Sequence, residues 1–254
     1  DEWKDKPHFI EDIMRFLDNV LQDFIDRAPD NMEKSKYAAM RERSVGLGTM
    51  GFHSLLQAKM VPFESATAKA WNFKIFRYIQ EGVNKASEAI GLERGACPDA
   101  ADYGMTGRFS NKTAIAPTAS ISIICGGTSP GIEPISGNSY MHKTLSGSFN
   151  VQNRHLAKLL EEKGFNNEET WSSITVHEGS VQHLEFLSPD EKDVFKTAFE
   201  LDQRWVIELA ADRTPYIDQA QSVNVFLPAD VHKRDLHQIH FSAWKLGMKS
   251  LYYC

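Results

Sequence analysis

Apolar residues recur at spacings of three and four along several stretches of the chain, a pattern typical of amphipathic helices. The clearest stretch covers residues 9–26, where the apolar positions are Phe9, Ile10, Ile13, Leu17, Val20, Leu21, Phe24 and Ile25. Similar stretches predict helices over 41–57, 65–90, 151–163, 189–212 and 230–246. We expect Gly91 to end the helix over 65–90 and Asn150 to cap the helix over 151–163.

Three short apolar runs have the length and composition of strands. The first is Thr113 to Ala116, which stops at Pro117, and the others are 221–227 and 249–253. The last two flank the predicted helix over 230–246, so they predict a parallel strand–helix–strand unit. Residues 95–111 and 125–148 are predicted to be loops. The fold class is therefore α/β with helix in excess.

Composition and charge narrow the classes of function. The chain has 254 residues, enough for one α/β domain or two smaller ones, and a net charge of −6. The acidic balance argues against a nucleic acid as partner, and no apolar run approaches the roughly 20 residues that span a membrane. Cys97, Cys125 and Cys254 lie far apart without a CxxC motif, so we expect neither a disulfide framework nor a zinc site. The charged amino terminus does not resemble a signal peptide, and the cytosol is the expected compartment.

Gly46, Gly48 and Gly51 match the GxGxxG pattern of dinucleotide-binding proteins. That fingerprint requires a preceding strand. The residues before it, KYAAMRERS, are charged and favour helix. We therefore interpret the glycines as positions where a helix packs closely against a neighbouring backbone.

Other residue patterns give only weak support for a metal site or a catalytic site. His232, His237 and His240 lie on one predicted helix, but no further ligand accompanies them at a recognised metal-binding spacing. Pairs of acidic residues such as Glu161-Glu162 lie in helical runs and are typical of solvated faces. There is no GxSxG motif of a serine hydrolase.

The run from Ile115 to Ser122, IAPTASIS, has the composition of a phosphate-binding loop. A short strand ends at Pro117, and small and hydroxylated residues follow. Small side chains allow backbone N–H groups to approach an anion, and a following helix adds its positive end. An ordinary turn from strand to helix is the alternative. The glycine-rich run from Gly126 to Pro134 is expected to lie near the same site.

Tyr252 and Tyr253 end the last predicted strand. Adjacent residues of a strand point to opposite faces, so two tyrosines packed in a core are the usual expectation. Because tyrosine can lose an electron and a proton together, a tyrosine pair can also conduct a radical.

Four blocks together resemble the large subunit of class I ribonucleotide reductases. They are RERSVGLGTMGFH, NKTAIAPTASISIICGGTSPGIEP, DQAQSVNVF and the terminal KSLYYC, and they occur in the order of that family. The resemblance implies part, about half, of a ten-stranded α/β barrel in one domain over 1–254. It also implies reduction of ribonucleoside diphosphates to deoxyribonucleotides for DNA synthesis. It assigns the substrate diphosphate to Pro117, Thr118, Ala119, Ser120 and Ile121, and radical transfer to Tyr252 and Tyr253.

The resemblance also implies partners, because the family's Asn-x-Cys-x-Glu pattern around the radical cysteine does not occur in this sequence. We expect the upstream half of the large subunit to supply that cysteine. A metal-containing small subunit would supply the radical, and thioredoxin or glutaredoxin the electrons, so no cofactor is expected on this chain. Two alternatives stay open: a fragment of an adenosylcobalamin-dependent (class II) reductase, and a nucleotide-binding module without catalysis.

Overall fold

The computed structural model describes residues 6–144 and 147–254. Within them, the one regular sheet is an antiparallel pair of strands, β1 (Ser139–Thr144) and β2 (Gly147–Gln152). The α-helices are α1 (Phe9–Arg27), α2 (Glu33–Glu42), α3 (Phe52–Ala58), α4 (Ala66–Arg94), α5 (Pro98–Ala101), α6 (Ile121–Ile124), α7 (Arg154–Lys163), α8 (Glu168–Val176), α9 (Pro189–Val194), α10 (Gln203–Arg213) and α11 (Lys233–Lys245).

The chain divides into two compact units. Unit 1 comprises residues 1–48, 73–115 and 213–221, and unit 2 comprises residues 49–72, 116–212 and 222–254. That the whole of 1–254 forms a single domain stays a prediction.

The longest amphipathic patterns predicted their helices well. α1, α4 and α11 agree with the stretches 9–26, 65–90 and 230–246. However, α4 continues through Gly91 and ends at Arg94, so the prediction that Gly91 ends this helix was wrong. The positive φ angle falls on Gly95 instead, at 89°.

Three helix predictions were wrong in their boundaries. The stretch 41–57 contains the end of α2, an extended segment and then α3. The stretch 189–212 contains two helices, α9 and α10, instead of one. The helix over 151–163 starts only at Arg154, and its cap is Asn153, whose side chain accepts the N–H of His155. Asn150 lies in β2, so it is not the cap.

Three extended segments of unit 1 run side by side in parallel. Isolated bridges pair Leu47 with Thr113 and Ile115 with Gln221. The predicted strand at 113–116 is therefore an extended segment with a parallel neighbour on each side, although it is too short to form a regular sheet.

The glycines of the GxGxxG pattern in unit 1 allow two of these segments to lie close together. A Cβ atom at Gly48 would lie 2.4 Å from the carbonyl oxygen of Ala114, and one at Gly46 would lie 3.1 Å from the Cβ of Ala114. Close packing is thus confirmed, but the packed element is an extended segment and not a helix. Residues 36–42 before these glycines are helical in α2, as expected, but the chain is already extended at Val45 and Leu47, which form parallel backbone hydrogen bonds with residues 111 and 112.

The core of unit 1 is formed mainly by α1 and α4. Ile10, Met14, Val83, Ile90 and Phe109 are among its buried members. Because α1 and α4 are both amphipathic, their apolar faces exclude water when they pack together.

Unit 2 contains a helical core and a hairpin. Leu156 and Leu160 of α7 pack with Ile174 of α8 and with Val194 and Phe195 at the end of α9. The β1–β2 hairpin was missed, because residues 125–148 were predicted to be loops.

The last segments of unit 2 form the predicted parallel arrangement only in part. Tyr252 donates its N–H to the carbonyl of Val223, and Val225 donates to the carbonyl of Tyr253. The two segments are therefore hydrogen-bonded neighbours with α11 between them in sequence. Neither has the regular pattern of a strand, so the two strand predictions were wrong in this respect.

Candidate active site

The loop 116–120 in unit 2 has an unusual backbone at Thr118, whose φ angle is 51°. Positive φ is uncommon for a residue with a Cβ atom. Two hydrogen bonds hold it: Gly131 donates its N–H to the Thr118 Oγ1 at 2.8 Å, and Ser122 donates its N–H to the Thr118 carbonyl at 2.9 Å. These two hydrogen bonds stabilise the positive φ angle at Thr118.

Backbone donors at the tip of this loop are unused by the protein. Within the described residues, the N–H groups of Ala119, Ser120 and Ile121 have no hydrogen-bond acceptor. All three residues are exposed, and Ser120 precedes α6 without capping it through its side chain. Because α6 has a single turn, its dipole adds little, and binding of an anion would depend on the N–H groups themselves.

The glycine-rich run 126–134 packs against this loop, as its position in the sequence suggested. Gly126, Gly127 and Gly131 adopt positive φ angles of 83°, 67° and 48°. Thr128 donates its N–H to the carbonyl of Ser122, in addition to the bond from Gly131 to Thr118.

Helix α3 anchors the same run from its other side. Ser54 and Ser129 exchange hydrogen bonds, each hydroxyl accepting the other residue's N–H. Ile135 donates its N–H to the Nδ1 atom of His53 at 3.0 Å. Burial lowers the pKa of His53 to about 3, so this ring stays neutral and remains an acceptor at physiological pH.

A cavity of about 300 Å³ lies behind the loop and is lined by Gln57, Ala119, Ser122, Glu133 and Asn224, among others. Glu133 is 7 % exposed and accepts the backbone N–H of Asn224 through Oε1 at 3.3 Å. Burial raises the pKa of Glu133, although hydrogen bonds from Asn224 act in the opposite direction. The side chain is therefore easier to protonate than an exposed glutamate.

The two tyrosines do not sit on opposite faces of a strand, and this prediction was wrong. Their ring centroids are 4.2 Å apart with an angle of 52° between the planes. Tyr252 is 51 % exposed and Tyr253 is 66 % exposed, so they are not core residues either. A hydrogen bond between the side chains raises the pKa of Tyr252.

No direct hydrogen bond joins loop 117–121 to the tyrosines within the described part of the chain. An indirect connection exists, because the run that contacts Thr118 also contains Glu133, and Asn224 accepts the N–H of Tyr253 through its Oδ1 at 2.9 Å. No pattern in the sequence assigned a role to Gln57, Glu133 or Asn224. The sequence does contain one indication that Asn224 has a special role, because it is a polar residue between two valines of an apolar run.

The three histidines of the α11 region have structural contacts. His232 caps α11 by accepting the N–H of Arg234, the Nδ1 of His240 contacts the Leu236 carbonyl, and the ring of His237 stacks on Phe241. Among residues 6–144 and 147–254, no three His, Cys, Asp or Glu side chains are grouped so as to hold a metal ion.

The cysteines and the helices add two further findings. Cys97 is buried, Cys125 and Cys254 are exposed, and all three are free thiols. None of the helices in the described ranges combines the length and the apolar character that crossing a membrane requires.

These features define a class of protein: an α/β chain with a loop whose backbone N–H groups are exposed and an exposed pair of tyrosines in contact. The family model of the ribonucleotide reductase barrel domain matches residues 2–104 and 99–254. The chain therefore belongs to the ribonucleotide reductase family, and the predicted fold class is confirmed.

Known proteins agree with this assignment. The chain is 48% identical over 257 positions to the ribonucleoside-diphosphate reductase large subunit of Invertebrate iridescent virus 6, and covers 27% of that protein. It is 40% identical over 256 positions to a putative large subunit of Frog virus 3, and covers 45% of it. In both alignments 100% of this chain is covered.

A solved structure is also closely similar. The class Id ribonucleotide reductase alpha subunit of Actinobacillus ureae superimposes with a TM-score of 0.91 at 40% sequence identity, over 100% of this chain and 47% of that one. The chain thus spans between 27% and 47% of the length of these three relatives.

Proposed function

We propose that this chain forms part of the catalytic subunit of a class I ribonucleoside-diphosphate reductase. In this proposal residues 117–121 bind the diphosphate of the substrate, and Tyr252 and Tyr253 carry the radical. The observation that carries it is the contact between two exposed tyrosine rings, 4.2 Å from centroid to centroid. Two large aromatic side chains that lie outside a core gain little from hydrophobic burial, so their placement is better explained by chemistry.

The tyrosine pair is suited to moving an electron and a proton together. A tyrosine that gives up one electron and its phenolic proton becomes a neutral radical, and the neighbouring phenol restores it by giving up the same two particles. A phenol with the ordinary pKa of about 10 is protonated at neutral pH, and the hydrogen bond with Tyr253 raises the pKa of Tyr252 further. Transfer therefore starts from a neutral phenol, and no tyrosinate has to form first.

The loop is suited to a diphosphate because its free donors belong to the backbone. The N–H groups of Ala119, Ser120 and Ile121 are exposed and lack acceptors in the described structure. Hydrogen bonds to a charged acceptor contribute about 1.5–3 kcal/mol each, more than bonds between neutral groups. The hydroxyl of Thr118 already accepts the N–H of Gly131, so it holds the loop's shape.

The proposed reaction needs groups that this sequence does not contain. An Asn-x-Cys-x-Glu segment of the large subunit would supply the cysteine that receives the radical from the tyrosines. A separate radical-generating subunit would deliver the oxidising equivalent, and thioredoxin or glutaredoxin would reduce the enzyme after each turnover.

The proposal is tested by ribonucleoside diphosphate reduction in a mixture of this chain, the remaining large-subunit polypeptide and the small subunit. We expect Tyr252→Phe and Tyr253→Phe each to abolish turnover, because phenylalanine has no phenolic proton to give up. Tyr103→Phe is the control, since Tyr103 is 86 % exposed and lies in unit 1. Turnover that ignores both tyrosine variants but depends on adenosylcobalamin would move the chain to class II. Nucleotide binding without turnover in any mixture would leave a binding module.

A further inference from the structure

The carboxyl group of Glu133 is buried without a charged partner in the described structure. Its side chain faces the cavity behind the loop, and the hydrogen bonds it forms there come from Asn224. No Lys, Arg or His of the described residues forms an ion pair with it. A buried carboxyl group is costly to maintain, so its contact with Asn224 calls for an explanation beyond packing.

Asn224 is held from two sides. Its backbone N–H donates to Glu133, and its side-chain Oδ1 accepts the N–H of Tyr253 at 2.9 Å. The neighbouring valines are buried, and they form the two backbone hydrogen bonds to the tyrosine tail. Asn224 therefore connects the buried carboxyl directly to the backbone of the tyrosine pair.

The rings of Tyr252 and Tyr253 depend on these backbone contacts for their position. Because both rings are more than half exposed, core packing does not fix them. Three hydrogen bonds from residues 223–225 hold their backbone: two through the main chain and one through the side chain of Asn224.

We infer that Glu133 is a positioning residue for the tyrosine pair: through Asn224, its buried carboxyl fixes the backbone from which Tyr252 and Tyr253 project. The positioning follows from the contacts alone. Its consequence for radical transfer rests on the proposed function, because ring separation affects turnover only if the rings conduct the radical.

The test uses the complete chain with 3-fluorotyrosine at position 252, followed by fluorine NMR as a function of pH. In the parent chain the hydrogen bond to Tyr253 raises the pKa of residue 252. We expect Glu133→Ala to lower this pKa towards that of free fluorotyrosine, because the tail loses its fixed position. Glu133→Gln keeps an oxygen that accepts the Asn224 N–H, so its titration should match the parent. Asn224→Ala, which removes the acceptor of the Tyr253 N–H, should behave like Glu133→Ala and covers the case in which Glu133→Ala does not fold.

Two results would overturn the inference. One is a titration of residue 252 that is the same in Glu133→Ala, Asn224→Ala and the parent. The other is an equal change in Glu133→Ala and Glu133→Gln, which would assign the effect to charge and not to position. Turnover separates this inference from the proposed function: if Tyr252→Phe leaves turnover intact while the titrations behave as expected, the proposed function fails and the positioning role of Glu133 stands.

Discussion

Asp18 on helix α1 is the carboxylate whose replacement should destabilise unit 1 most. Its side chain is 1 % exposed and forms ion pairs with three arginines. The Oδ1 atom accepts from Arg43 at 2.7 Å and from Arg108 at 3.0 Å, and the Oδ2 atom accepts from Arg94 at 2.8 Å. Asp18→Asn keeps the size of the side chain, removes the negative charge and turns one acceptor into a donor.

The expected loss of stability follows from the positive charges of the arginines, which stay buried when Asp18 is replaced. Arg43 and Arg108 are nearly as buried as Asp18, with side-chain exposures of 6% and 9%, whereas Arg94 is 31% exposed. Removing one partner of a buried ion pair costs about 3–5 kcal/mol, because the remaining charge is desolvated without compensation. The three arginines share Asp18, so the effects of its bonds do not add. We expect a loss of about 3–5 kcal/mol for Asp18→Asn, a large share of the roughly 5–15 kcal/mol by which domains are stable.

The loss of stability caused by Asp18→Asn should become smaller at low pH. Burial by itself would raise the pKa of Asp18, but the hydrogen bonds from Arg43, Arg108 and Arg94 together outweigh it and lower the pKa. A carboxyl whose pKa is lower in the folded state stabilises the fold above its unfolded pKa of about 3.9, and this contribution disappears as the pH falls through the folded pKa. The difference between parent and variant should therefore be constant from about pH 5 to 8 and shrink below about pH 4.

The readout should be local to unit 1, because the chain has two compact units and need not unfold in a single step. We would measure hydrogen exchange of the α1 amides that exchange only when the unit opens. A loss of about 3–5 kcal/mol accelerates their exchange by roughly a hundredfold to a few thousandfold. Asp23→Asn is the matched control, since Asp23 lies on α1 and pairs with Arg27 at the surface, where such pairs contribute less than about 1 kcal/mol. Exchange that is equally fast in the two variants would refute the argument.

Two further variants test the candidate site and the fold of unit 2. Ser120→Glu should abolish nucleoside diphosphate binding in titration calorimetry, because it places a negative charge beside the free N–H groups. Ser110→Glu, at another exposed serine, is the control and should bind like the parent. Equal binding by the two variants would contradict the proposed role of the loop. Gly51→Ala should destabilise unit 2 in thermal unfolding by about 1–3 kcal/mol more than Gly164→Ala. Both glycines have φ angles near 80°, but a Cβ atom at Gly51 would lie 2.5 Å from Thr128 Oγ1, whereas one at Gly164 would meet nothing within 4 Å. Equal losses of stability in the two variants would show that this overlap is relieved at no cost.

Helices that bury one continuous apolar face could be predicted from the sequence, because the repeat of the pattern equals the repeat of the structure. α1 and α4 are examples. Failures occurred where a contact distant in sequence decides the local backbone. Arg43 ends α2 in the left-handed conformation, with a φ angle of 44°, while its guanidinium binds Asp18, 25 residues earlier. No local propensity contains that contact, so a single helix was predicted over 41–57, where α2 ends, an extended segment follows and α3 begins.

Contacts distant in sequence also explain why the β1–β2 hairpin and the cap of α7 were not predicted. β1 and β2 satisfy one another's backbone groups, and their residues do not form the long apolar alternation that identifies a half-buried strand. Asn150 and Asn153 are equally good caps by residue type. The choice of Asn153 depends on its side chain, which also donates to Gln57 and to Asn138. A single sequence shows the candidates for a cap, whereas tertiary contacts select among them.

The tyrosine pair shows why residues of a site could be identified before their arrangement. Side-chain alternation holds only while the backbone stays a regular strand. Here the segment ends on a hydrogen bond from Tyr253 to a side chain, the Oδ1 of Asn224, and not to a main-chain carbonyl. The segment is therefore not a regular strand, and the two ring centroids lie 4.2 Å apart. Asn224 is in turn hydrogen-bonded to Glu133, which lies 91 residues earlier in the chain. The arrangement of the two tyrosines thus depends on Glu133, and no local sequence pattern connects Glu133 with them.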